Sequence, residues 1–194
     1  MNKRLVTALA ASASFALALP LAAEDKPANP AGAGMGAIYK NISETLAKAA
    51  EKMPEDKYSF KPTPEVRSFG QLVAHVADAQ NFMCKMAVGE QGAYSDAVEK
   101  GKTAKADLVA ALKESSAGCA KVFAQSHEDL AKPQKIFGMD MNRYAVASIV
   151  LGHAYEHYGN MVTYLRINKI VPPSSEQRQA PAPKTEAKAT EDKK

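Results

Sequence analysis

Residues 142–173 read NRYAVASIVLGHAYEHYGNMVTYLRINKIVPP. Val146, Val150, His153, His157, Met161 and Tyr164 recur at steps of three and four, so they share one face of a helix. The helix starts near Asn142, and Pro172-Pro173 closes it. Two histidines four apart project from that face one turn from each other, the spacing at which two imidazoles can reach one ion.

Working outward, Ser68-Phe-Gly-Gln71 has the form of a capping box. A second apolar stripe follows at Phe69, Leu72, Val73, Val76, Ala79, Met83 and Met86, with Gly89 at its end. His75 lies on the stripe side of this helix. Ile38, Ile42, Leu46, Ala49 and Met53 predict an earlier helix stopped by Pro54. Leu108, Leu112, Cys119, Val122 and Phe123 predict a further helix, for which Thr103 can serve as the cap. Residues 89–102 and 127–141 read as irregular connections. Four amphipathic helices without a convincing strand predict an all-α four-helix bundle over residues 35–173.

The flanks differ in composition. Lys3 and Arg4, an Ala/Leu-rich run from Leu5 to Leu19, Pro20, and small residues at Ala22 and Ala23 have the order of a secretory signal peptide, residues 1–23. The apolar run is short for a membrane span, which needs about 20 residues. Cleavage after Ala23 leaves no stable membrane anchor and places the mature protein in the periplasm or outside the cell. Residues 24–34 read as a linker. Residues 174–194 are Ala, Pro, Lys and Glu and read as a disordered tail.

The formal charge of +4 falls to +2 once Lys3 and Arg4 are removed. No Lys/Arg cluster is interleaved with aromatics, so no nucleic-acid partner is expected. The expected partner is a small-molecule substrate or ligand. A homodimer is compatible with such a bundle, though no residue specifies one.

A bundle can bring the second and fourth helices face to face, adding His75 to His153 and His157. Three neutral imidazoles with an open position suit a divalent ion, zinc or nickel first. The alternative is three hydrogen-bonded core histidines. His127 lies outside the stripes, in a polar run.

The stretches Ala50 to Pro54, Tyr58 to Pro62 and Arg67 to His75, followed by His153 to Arg166 and Ile170 to Pro173, resemble the DinB/YfiT-like proteins. The resemblance covers roughly residues 35–173. It implies a four-helix bundle in up-down-down-up order. It also implies a divalent metal held by one histidine of helix 2 and two of helix 4, here His75, His153 and His157. Relatives include mycothiol- and bacillithiol-dependent enzymes. Export argues against those cytosolic thiols as cosubstrates here.

His153-Ala-Tyr-Glu156-His157 also fits the inverted zinc-peptidase pattern H-x-x-E-H. That class requires a further acidic ligand downstream on an ordered helix, where only the disordered-reading tail follows, with Glu176, Glu186 and Glu191. Glu156 therefore reads as a solvated residue or one that supports the ligand histidines from outside.

Cys84 and Cys119 are the only cysteines. An even pair in an exported protein suggests a disulfide. The topology implied by the resemblance agrees. With helices 2 and 3 parallel, both cysteines stand at the same height, whereas an antiparallel pair would offset them by roughly 15–20 Å.

Two functions fit. One is a metal-dependent hydrolase or thiol transferase, in which the ion lowers the pKa of a nucleophile and Asp78, Glu156, Tyr158 or Asn160 assists. The other is a non-catalytic metal- or small-ligand-binding module. Met83, Met86, Met139, Met141 and Met161 could line a soft cavity, but methionines in such stripes more often fill the core. An intact triad speaks against a purely structural protein.

Overall fold

The structure, a computed structural model, describes residues 29–179. The signal-peptide reading of residues 1–23, and the tail beyond residue 179, lie outside the described residues. No described helix is long and apolar enough to cross a membrane.

Four long helices form the body: α1 (Pro30–Lys52), α2 (Phe69–Ala87), α4 (Lys105–Phe123) and α6 (Arg143–Ile167). Short helices α3 (Ala97–Gly101), α5 (His127–Ala131) and α7 (Pro173–Gln179) lie between or after them. A two-stranded antiparallel hairpin, β1 (Pro133–Ile136) and β2 (Met139–Asn142), precedes α6.

Contacts along the helices fix their directions. Gly70 meets Leu108 near the starts of α2 and α4. Gln80 Oε1 accepts from the Ser115 hydroxyl at 2.7 Å further along both, and Cys84 and Cys119 form a disulfide near their ends. α2 and α4 are therefore parallel. α1 runs against α4, since Tyr39 stacks on Phe123 at 4.9 Å while Lys105 Nζ donates to the Met53 carbonyl at 2.8 Å. α6 runs against α2, with the Tyr164 hydroxyl donating to the Arg67 carbonyl at 2.6 Å. The order is up-down-down-up.

Local chemistry explains the ends. Asn29 accepts the Gly32 N–H at 3.0 Å, and Pro30 occupies the first helical position. The linker reading of residues 24–34 is thereby corrected, because residues 30–34 are helical. Their Gly-Ala composition resembles a linker but serves close packing: a Cβ on Gly32 would lie 3.0 Å from the Phe123 carbonyl oxygen. Tyr39, rather than the exposed Ile38, faces the core. The capping box at Ser68 and Gln71 forms in both directions, and Gly89 takes a left-handed φ of 87° just beyond α2.

Thr103 does not cap α4. The cap position is Ala104, without a side-chain bond, and Asp107 supplies the negative charge that favours this helix end.

The connection at residues 127–141 is not irregular, since it holds α5 and the hairpin. Strands of four residues that bury only Gln134 and Ile136 give little period-two signal. Their Phe137-Gly138 turn lacks the Asn-Gly or Asp-Gly mark of a hairpin.

The tail reading of residues 174–194 is also corrected at its start, where α7 is helical. Tertiary contacts hold it: the Ser174 N–H donates to the Tyr158 hydroxyl at 3.0 Å, and Lys52 pairs with Glu176 at 2.7 Å.

Candidate metal centre

The stripe that decides the fold of α6 also directs His153 and His157 at α2, where His75 faces them. His75 Nε2 lies 3.4 Å from His153 Nε2, and His157 Nε2 lies 2.9 Å from His153 Nε2. One ligand atom from each ring falls within 4.8 Å of the others. Zinc–imidazole bonds of ~2.0–2.1 Å in tetrahedral array put ligand nitrogens ~3.3–3.4 Å apart, so the three rings are near the required spacing.

The remaining ring nitrogens decide whether the Nε2 atoms are free to ligate. His75 Nδ1 lies 3.2 Å from the Tyr94 hydroxyl, an oxygen that can accept its N–H and leave Nε2 bare. His157 Nδ1 lies 3.3 Å from the Asn160 side-chain amide. With the amide oxygen turned to accept, it would fix the same tautomer. His153 Nδ1 is buried without a partner among the described residues.

Burial keeps the cluster uncharged. Desolvation, then the neighbouring His157 and His75, bring His153 down to about 4. Desolvation, then His75 and Arg67, bring His157 down to about 4. Desolvation also lowers His75, with Arg67 adding to the effect. At neutral pH the rings are neutral, the form that binds a metal. The donor set therefore fits a borderline divalent ion. An ion held by His75, His153 and His157 would supply Lewis-acid chemistry, able to polarise an oxygen or acidify a nucleophile.

An open cleft of about 740 Å³ reaches His157. Lys61, Arg67, Glu99, Asn160 and Tyr164 line it. Arg67 Nε donates to the Glu99 carboxylate at 3.1 and 3.2 Å. Glu99 is itself placed by α2: the buried Asp78 carboxylate accepts the Val98 and Glu99 N–H groups at 3.0 and 2.9 Å. It caps α3 and so hangs that helix on the bundle.

Of the assisting residues considered from sequence, only Asn160 touches the triad. Asp78 is committed to α3, Tyr158 to α7, and Glu156 is exposed. His127 stands apart, its Nδ1 3.0 Å from the Tyr144 hydroxyl. The triad includes no carboxylate among the described residues, and Glu176 pairs with Lys52, so nothing described completes the peptidase pattern. Met83, Met86 and Met161 are buried in the core, while Met139 is half exposed. Sequence reading missed Tyr94, Lys61, Arg67 and Glu99. An aromatic alone in the Gly- and Ser-containing run 89–96 was the one signal for Tyr94.

The family model of the DinB superfamily matches residues 39–161. No curated protein sequence matches the chain significantly. Two crystal structures share the fold. A DinB-like protein from Bacillus cereus is 15% identical with a TM-score of 0.63, covering 73% of this chain and 95% of its own. The DinB-like protein YjoA from Bacillus subtilis is 20% identical with a TM-score of 0.58, covering 70% and 92%.

Proposed function

The chain belongs to the DinB superfamily, and from that premise we propose that it is an exported metalloprotein holding a divalent ion through His75, His153 and His157. The convergence of three neutral imidazole Nε2 atoms, from the buried His157 and the half-buried His75 and His153, carries this reading. Zinc or nickel suits a nitrogen-only donor set of this softness. The leader-like residues 1–23 and the Cys84–Cys119 disulfide support a periplasmic or secreted location, where disulfides persist.

The site acts on a small molecule, as a hydrolase or a thiol transferase. The cleft beside His157 offers room, while Arg67 and Lys61 offer positive charge to orient an anionic group. Asn160 holds the His157 ring, and Tyr94 holds that of His75. A second reading is a non-catalytic binding module. It is favoured by one observation: the Glu99 carboxylate that lines the cleft with His157 is paired with Arg67.

Turnover separates the two. The zinc- and nickel-loaded protein, the metal-stripped protein and His157→Ala would be compared on ester, amide and thiol-transfer substrates. Metal-dependent turnover absent from His157→Ala supports the enzyme. A loaded protein that turns over none of them favours the binding module.

A further inference from the structure

The turn of the hairpin is built from residues that the turn does not favour. Phe137 has φ 53° and Gly138 φ 77°, so both positions of this two-residue turn are left-handed. Such turns take Asn, Asp or Gly first, and a bulky aromatic there is strained. Burial does not offset the strain, since Phe137 is 60% exposed. Its ring is nonetheless placed: it lies 5.7 Å from Phe82, which lies 6.0 Å from Tyr94. Tyr94 is 43% exposed and Met139, beside the turn, 50%.

This aromatic ridge begins at the triad. The Tyr94 hydroxyl is 3.2 Å from His75 Nδ1. Phe82 follows His75 by seven residues, which puts it on the same face of α2 and ~10 Å along the axis. The ridge thus runs from the ring of His75, through Tyr94 and Phe82, outward to the hairpin tip.

We propose that the ridge Tyr94–Phe82–Phe137 seats the apolar tail of a small molecule whose polar head meets the triad, so that the site takes amphipathic aryl- or alkyl-bearing ligands. The occupant follows from continuity with the metal centre, because one end of the ridge is hydrogen-bonded to a ligand ring. The inference rests on the metal reading above.

The test compares two probes on the zinc-loaded protein by calorimetry. Acetohydroxamate is a metal-binding head alone, and phenylhexanohydroxamate adds a tail able to reach Phe82 and Phe137. The tail is expected to tighten binding about tenfold, the scale of a single aromatic contact. Phe137→Asn should abolish that gain, leave acetohydroxamate binding unchanged and leave Tm equal or higher, because Asn-Gly suits the turn. Phe137→Tyr should keep the gain. Equal binding of both probes to the wild type, or a gain that survives Phe137→Asn, overturns the proposal alone. A dimer that Phe137→Asn dissociates also overturns it, assigning the ridge to a second copy. Acetohydroxamate that fails to bind in a zinc-dependent way overturns both the proposal and the metal reading beneath it.

Discussion

Tyr94 reaches back from the α2–α4 connection to set its hydroxyl 3.2 Å from Nδ1 of His75. A residue outside the main helices thereby orients one of the three rings. Tyr94→Phe should weaken divalent-metal affinity about tenfold, the low end for loss of a ligand's outer partner, because water can replace an exposed hydroxyl. Competition with a chromophoric chelator measures it. Unchanged affinity would show that packing alone orients His75.

The Asp78 carboxylate joins two backbone N–H groups of α3 to the face of α2. Asp78→Ala should cost ~1–2 kcal/mol, as for loss of a helix cap, read from urea unfolding. The substitution should leave metal stoichiometry intact, because Asp78 does not touch the triad. Loss of the metal together with stability would instead make α3 part of the binding site.

The Cys84–Cys119 bond closes a loop of 35 residues between parallel helices. Replacing both cysteines by alanine should lower stability by ~3–4 kcal/mol on the loop-entropy model. Far-ultraviolet circular dichroism should still report the same helices, since the cysteines contribute to the core without defining its register. Equal urea midpoints for the two proteins would contradict this.

The histidines give the metal-free protein an acid-sensitive window. His153 and His157 titrate near 4 when folded, against ~6.5 in an unfolded chain. Between those values the unfolded state binds more protons, so stability is full above about pH 6.5 and falls as pH drops towards 4. Urea midpoints of the metal-free protein from neutral pH downward should show the decline. It should be smaller in a His153→Ala/His157→Ala double variant. Parallel profiles would argue against buried neutral imidazoles.

Periodic features were legible in the sequence. The α6 stripe, the Ser68 capping box and the inward phase of His75 each depend on spacing within a single helix, and spacing is what a sequence displays. Features that depend on tertiary placement were not. Residues 30–34 look like linker until Gly32 is seen against the Phe123 carbonyl, and α7 has no apolar stripe, being held by Tyr158 and Lys52. Tyr94 and Glu99 reach the site because Asp78 hangs α3 there, a contact twenty residues long in sequence that no local pattern announces. The hairpin was hidden because its turn carries Phe137 where a turn-forming residue would have marked it.

Metal content tests the central claim most directly. The protein, purified without a histidine tag, and His157→Ala would be analysed by mass spectrometry after reconstitution with zinc or nickel. The account predicts close to one divalent ion per chain in the first and its loss in the second. No bound ion in either would contradict it, leaving His75, His153 and His157 as core residues of a helical bundle.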